Sequence, residues 1–288
     1  MRIVQPAGNR ISGLTIALAT FLGACGGGGD SGSPAPVAPA PVVVNAPACT
    51  QPAEGPSAPA GPLVIGGDIT GRPGNPSFIY VAEGDGKHPF LFYGPDFANS
   101  STITGFIRVG FDARGCAGVD LSTDNGSELG LHVELPLNLQ VSATTRPPSL
   151  SGSIRDKAGT YALTASSIPG SSYDMSAPAT VASAAGFWIL SDMWGSRMSV
   201  AVDSAGNVTG NYGCPFTGVL SPSPESVNLL RVQLSMTGSG CASGAVNTGP
   251  YEGFALVMPL TSGGSQLLIW AEWTDGWDSA NVLAMGRR

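Results

Sequence analysis

Short apolar or alternating runs, each closed by glycine, proline, asparagine or aspartate, recur along this chain from Leu63 to Arg288, and nowhere does an amphipathic helix of three turns fit. Residues that alternate in polarity every second position lie on opposite faces of a strand, so this pattern specifies sheet. The 41 glycines and 24 prolines supply the turns, and 11% charged residues are too few to lace long helices with ion pairs. The body is therefore expected to be all-β. A short Ala-rich helix within Pro178 to Ala185 is the one exception the pattern allows.

The second half is the most regular. Strands are expected near 185–191, 196–202, 207–213, 214–220, 227–236, 251–259, 265–273 and 279–285, with short connections. Strands in that arrangement suggest an eight-stranded up-and-down antiparallel barrel or a curled sandwich, since closure removes exposed edges. The clearest hairpin is Met198 to Val202 running into Asp203-Ser204-Ala205-Gly206-Asn207. In the first half the runs are Phe78 to Val81, Pro89 to Tyr93, Ile103 to Asp112, Cys116 to Leu121, Leu129 to Val141 and Tyr161 to Ala165. Asp124-Asn125-Gly126-Ser127 is a turn signal between two of these runs.

Ser166 to Pro178 is poor in bulky apolar residues, which places a boundary between two small antiparallel β domains, 63–170 and 179–288. The C-terminal piece carries all five tryptophans and its own cysteine pair, so it is expected to fold alone. Gly105 to Cys116 can also be set beside Gly195 to Cys214 as two diverged copies of one pattern, each leading through an Asp-containing segment to Gly-Cys.

At the N-terminus, Arg2 and Arg10 flank the positive end of a secretory signal, Ile11 to Ala24 form its apolar run, and small residues precede Cys25. The run is shorter than the roughly 20 residues that a spanning helix needs. Leu22-Gly23-Ala24-Cys25 resembles the lipobox of bacterial prolipoproteins. The resemblance implies removal of residues 1–24, a diacylglyceryl group on the Cys25 sulfur, and attachment to a membrane through that lipid. In that family an Asp after the cysteine retains the protein in the inner membrane; the residue here is Gly26, which implies the outer membrane of a Gram-negative envelope. From Gly26 to Pro62 the chain is almost entirely Gly, Ser, Pro, Ala and Val, expected to be a disordered, semi-rigid tether. From Gly186-Phe187-Trp188 onward, with Gly213-Cys214-Pro215-Phe216-Thr217-Gly218, Cys241 and Tyr251-Glu252-Gly253, the chain is similar to small uncharacterised lipoproteins of proteobacteria, a resemblance that bears on fold and carries no activity.

The formal net charge is −7, and loss of Arg2 and Arg10 with the signal leaves 11 basic against 20 acidic residues, or −9. With no basic patch, nucleic acid is excluded as a partner, and so is electrostatic adhesion to an anionic membrane. Setting Cys25 aside leaves Cys49, Cys116, Cys214 and Cys241, an even number that favours two disulfides in an oxidising compartment. Three pairings are open. Cys214 with Cys241 and Cys49 with Cys116 is preferred because the first pair lies within one barrel, although Cys49 in the tether can also stand unpaired.

The sequence has no Cys-x-x-Cys, and its only histidines are His88 and His132, so neither a structural zinc site nor another metal or cofactor is expected. The nucleophile-elbow, zinc-protease and P-loop motifs are missing as well. Asp120, Asp124 and Glu128 are better explained by the Asn125-Gly126 turn than by calcium. Trp270, Trp273 and Trp277 with Asp275 and Asp278 could stack on and hydrogen-bond a ligand such as a sugar. Alternation puts Trp270 and Trp273 on opposite faces of a strand, so packing is the plainer role, one filling the barrel and the other covering its end. The expectation is a membrane-anchored, non-enzymatic lipoprotein that binds a small ligand or an envelope protein or supports the envelope. The alternative is an anchored glycan hydrolase using paired carboxylates.

Overall fold

The computed structural model describes residues 62–82, 90–111, 117–120, 138–142, 149–155, 160–225, 227–237, 241, 249–274 and 279–288. Among the described residues the chain is all-β apart from one short helix. In the first half the strands are β1 (Leu63–Thr70), β2 (Ser77–Ala82), β3 (Phe90–Gly94), β4 (Gly105–Phe111), β5 (Ala117–Asp120), β6 (Asn138–Ser142), β7 (Ser149–Arg155) and β8 (Thr160–Ala165). They form one antiparallel sheet in the order β5-β4-β3-β2-β1-β8-β7-β6. The sequence pattern missed β1 and β7. The Gly66-Gly67 pair interrupts the apolar run of β1, and Ser149–Arg155 carries only Leu150 and Ile154 as large apolar residues.

The helix α1 (Val181–Ala184) leads into β9 (Gly186–Asp192), β10 (Arg197–Val202), β11 (Asn207–Asn211), β12 (Pro215–Pro222), β13 (Leu230–Met236), β14 (Pro250–Pro259), β15 (Ser265–Thr274) and β16 (Ser279–Arg287). These close into an eight-stranded antiparallel barrel, β16 returning to pair with β9 through Ala284 opposite Asp192 and Met285 opposite Ser191. The β10–β11 hairpin forms as its sequence dictates: the Asp203 carboxylate accepts hydrogen bonds from the backbone N–H of Ala205 (2.8 Å) and Asn207 (2.9 Å), and Gly206 takes φ +91°.

An eight-stranded barrel is just wide enough for side chains to fill, and this one is filled. Trp188, Met198, Val200, Leu234, Tyr251 and Val282 belong to one interior cluster and leave no surface that a water molecule can reach, from outside or within. Cross-strand fit accounts for Gly210, opposite Phe216 in the register, since a Cβ there would stand 2.3 Å from the Phe216 ring. At one end of the barrel α1 and Arg288 form a stopper. The Trp188 indole donates to the Ala184 carbonyl (2.7 Å), and the Arg288 guanidinium lies 4.2 Å from the Trp188 ring centroid and donates to the carbonyls of Ala185 and Ser183. At the other end the Cys214–Cys241 disulfide is formed. By loop closure it contributes about 3.5 kcal/mol. Beside it the Tyr212 hydroxyl donates to the buried Asp192 carboxylate, which also accepts from the backbone of Trp194 and Ser196.

The two sheets share a core. Phe90, Phe92 and Phe106 on the first sheet meet Phe254 and Trp270 on the outside of the barrel, with ring centroids 4.7 Å apart for Phe90–Trp270 and 4.6 Å for Phe106–Trp270. Gln266 is buried at the rim of this layer and donates to the carbonyls of Phe97 and Ser100, while Arg287 donates to Phe97 as well. The stretch 166–178 is not the bare connection its composition suggests. Ile168 is buried against Gly66, where a Cβ would stand 2.6 Å from the Ile168 Cα, and the backbone N–H of Val64 donates to the Met175 sulfur. Ser172 and Thr261 add backbone bonds that fasten the stretch to the barrel. Both sheets lie within one compact unit.

The strand order of β1 to β8 repeats that of β9 to β16: in each half the strands follow one another and the last returns beside the first. Among the described residues β5 and β6 are the edges at which the first half stays open. The proposed alignment of Gly105–Cys116 with Gly195–Cys214 does not follow this repeat. It sets β4 and the residues after it against β10 and β11, whereas β4 occupies the place of β12.

The shared core changes what the C-terminal half should do alone. Expressed without the first sheet, Ala179–Arg288 would bare Phe254, Leu256, Met258, Leu268, Trp270, Leu283 and Met285. Each side chain so exposed forfeits roughly 1.5–3 kcal/mol of burial. The fragment is expected to self-associate on size-exclusion chromatography and to bind a hydrophobic dye that the whole body excludes. A monomeric fragment that ignores the dye would show the shared layer to be dispensable.

Candidate functional site

Trp270 is 2% exposed and enclosed by phenylalanines between the two sheets, so it offers no surface to a ligand. Its place on the outer face corrects the packing expectation as well, since it neither fills the barrel nor covers its end. Trp273 points the other way and packs, partly buried, against the interior cluster, where a Cβ on Gly249 would touch its ring. Trp277, Asp275 and Asp278 lie outside the described residues, as do Cys25, Cys49, Cys116, His88, His132, Asp124 and Glu128. The Trp cluster read from the sequence is thus divided, one member between the sheets and one inside the barrel. Among the described residues no three His, Cys, Asp or Glu side chains are grouped as a metal site, and no helix is long and apolar enough to cross a membrane.

Paired carboxylates do occur. Glu252 on β14 and Glu272 on β15 are direct cross-strand partners, and the Gln233 side-chain amide donates to Glu252 (3.1 Å). Strand alternation puts both on the barrel's outer face, in line with Phe254 and Trp270. That face curves away from any chain laid along it, whereas glycan hydrolysis needs its carboxylates on opposite sides of a held bond.

The arrangement that calls for an explanation is on the first sheet, on the face turned away from the barrel. Leu63, Ile65 and Ile69 of β1, Phe78 and Tyr80 of β2, Leu91 and Tyr93 of β3, Leu150 of β7, and Tyr161 and Leu163 of β8 form one buried cluster there. Alternation produces this face: in Phe78-Ile79-Tyr80-Val81 the even residues join this cluster while Ile79 and Val81 join the layer against the barrel. A four-residue run without a polar break is buried on both faces, so a tyrosine within it must bury its hydroxyl. The unbroken apolar run Phe78 to Val81 is the sequence signal for this buried phenol.

Tyr80 is fully buried and its hydroxyl has no hydrogen-bond partner. Leaving such a group unmatched costs about 1–3 kcal/mol. The only other buried side-chain polar atom without a partner among the described residues is Arg287 Nε, and that guanidinium is held through another nitrogen by Phe97. The barrel interior shows the contrast: its Trp188 indole and Tyr212 hydroxyl both donate to partners. At the end of the sheet face the Arg72 guanidinium, carried by the β1–β2 turn, lies 6.0 Å from the Tyr161 ring centroid. The described cluster on this face is thus mostly hydrocarbon, with the phenols of Tyr80, Tyr93 and Tyr161 among its members and Arg72 at its margin.

Burial governs the titration of these phenols. It raises Tyr80 far above the ordinary value and pushes Tyr93 up to about 12, the nearby Arg72 charge opposing part of the rise. Tyr173, whose hydroxyl donates to the Asn228 carbonyl, is raised by burial and then by Asp174. A folded-state pKa above the unfolded one adds stability that is whole below the unfolded value and is lost as pH climbs toward the folded value. The body should therefore keep its stability up to about pH 10 and lose it progressively above, as the unfolded chain ionises first. Tyrosinate absorbance and circular dichroism followed together should show most phenols titrating with the loss of structure. Full ionisation with the sheet intact would contradict the burial described.

Comparisons with protein-family models, curated proteins and solved structures find no match for this chain, so the site rests on its own geometry.

Proposed function

We propose that this protein is a lipid-anchored protein of the bacterial outer membrane, tethered through Cys25, whose β body binds a small ligand or an envelope protein and performs no covalent chemistry. The lipobox-like end of the N-terminal apolar run carries this reading. The filled barrel is the body on which the first sheet is mounted through their shared core. The anchor rests on the lipobox Leu22-Gly23-Ala24-Cys25, and the Pro-rich segment up to Pro62 gives the body reach from the bilayer.

The anchor and the binding separate experimentally. Metabolic labelling with a fatty-acid analogue should mark the wild-type protein and leave Cys25→Ser unlabelled, released or unprocessed; undiminished labelling of Cys25→Ser would end the lipoprotein assignment. For the ligand, protein purified gently from envelopes should melt several degrees higher than the same protein stripped over a hydrophobic resin, since a guest bound only to the folded state adds its binding free energy to stability. The stripping eluate should contain one dominant small molecule by mass spectrometry. Identical melting before and after stripping, with an empty eluate, would defeat the binding reading.

A further inference from the structure

We propose that Met175 is an oxidant-sensitive modification site, at which a peroxide converts the thioether to a sulfoxide and so frees residues 166–178 from the first sheet. The place of Met175 follows from where the strands end. β8 pairs with β1 from Gly67 to Thr70, so the chain after Ala165 leaves the ladder while β1 still runs back to Leu63. Two contacts hold the departing chain to this remaining length of β1: Ile168 packs against Gly66, and the Val64 N–H donates to the Met175 sulfur at 3.1 Å. The other hydrogen bonds that tie this stretch to distant parts of the chain, among the described residues, run to the barrel. The Ser172 N–H and the Ser171 hydroxyl donate to the Pro259 carbonyl (3.0 and 2.7 Å), and the Tyr173 hydroxyl donates to the Asn228 carbonyl. The Asn228 N–H in turn donates to the Met175 carbonyl at 3.1 Å. Met175 is therefore held by the barrel through its backbone and by the first sheet through its sulfur.

The chemistry of the sulfur makes this junction breakable. A thioether is a weak acceptor, and the rest of its grip is packing, since Met175 lies against both the cluster on the outward sheet face and the layer facing the barrel. Met198, Met236, Met258 and Met285 are buried, whereas Met175 and Met193 are only partly so and meet solvent. In the oxidation, a sulfur lone pair attacks one peroxide oxygen, the O–O bond breaks, and the second oxygen leaves as water after proton transfer. Sulfur loses two electrons and the peroxide gains them. The product is polar and strongly hydrated, so a half-buried side chain gains by turning its new oxygen to water, and that turn withdraws the sulfur from Val64 and the methyl group from the two clusters. A disulfide such as Cys214–Cys241 persists in oxidising surroundings, where methionine also meets peroxide.

Hydrogen peroxide added to the full-length protein, with peptide mapping by mass spectrometry over time, tests the site. Oxygen should appear at Met175 roughly tenfold faster than at the four buried methionines. Once Met175 is oxidised, amide hydrogen exchange in the peptides carrying Ser172 and Asn228 should quicken by about tenfold, and the protein should melt about 2–4 °C lower. Both changes should persist in Met193→Leu and vanish in Met175→Leu, which keeps the volume of the side chain and has no sulfur to oxidise. Oxidation of Met175 no faster than that of the buried methionines would overturn the site. Complete oxidation of Met175 with exchange and melting unchanged would overturn the release, and the wild-type protein alone decides both of these points. A Met175→Leu protein that loosens under peroxide as the wild type does would assign the effect to another residue and overturn the proposal.

Discussion

Everything else in this body depends on the aromatic layer between sheet and barrel. Phe90, Phe92, Phe106, Phe254 and Trp270 pack with centroids between 4.6 and 6.3 Å, Phe90 and Phe92 stacked and the other pairs tilted or edge-on. Each such pair contributes about 0.5–1.5 kcal/mol beyond the area it buries. The layer also sets orientation. With β2 and β3 pressed against the barrel, their alternate residues must face the other way, and that is how Tyr80 and Tyr93 come to share a cluster. Gln266 and Arg287 fix the register of the two bodies by holding the Phe97–Ser100 turn, so the layer does not slide.

Two halves with one strand order have taken different courses. The barrel closes on itself, fills its interior and matches its inner polar groups, and disulfide and stopper hold its ends. The first sheet spends one face on contact with the barrel and leaves an unmatched hydroxyl on the other.

The barrel strands were legible to within one to three residues because β9, β10, β12 and β13 alternate strictly between interior and solvent. The cover over β14 to β16 was legible too, in principle. Phe254-Ala255-Leu256-Val257-Met258 and Leu267-Leu268-Ile269-Trp270-Ala271 are unbroken apolar runs, which strands show when both faces are buried. What no local pattern could supply was the identity of the cover, since Phe90 and Trp270 are far apart in the chain. Gly66-Gly67 hid β1 for a related reason: Gly66 serves the close passage of Ile168 and Gly67 that of the Thr164–Ala165 backbone, contacts that exist only after folding. The carboxylates and tryptophans that drew notice in the sequence did so by chemical type, whereas Tyr80 is singled out by what surrounds it.

The closure of the barrel by β16 against β9 has a kinetic side. The pairs Ala284–Asp192 and Met285–Ser191 span most of the C-terminal half, so the seam cannot form until the final strand is present, and such distant pairings are slow to nucleate. A chain delivered from its N-terminus would meanwhile hold a complete first sheet with its phenylalanine face bare and waiting. That sheet is a template on which β14 and β15 can condense before the ring is shut, which makes the older half of the emerging chain a folding platform for the younger.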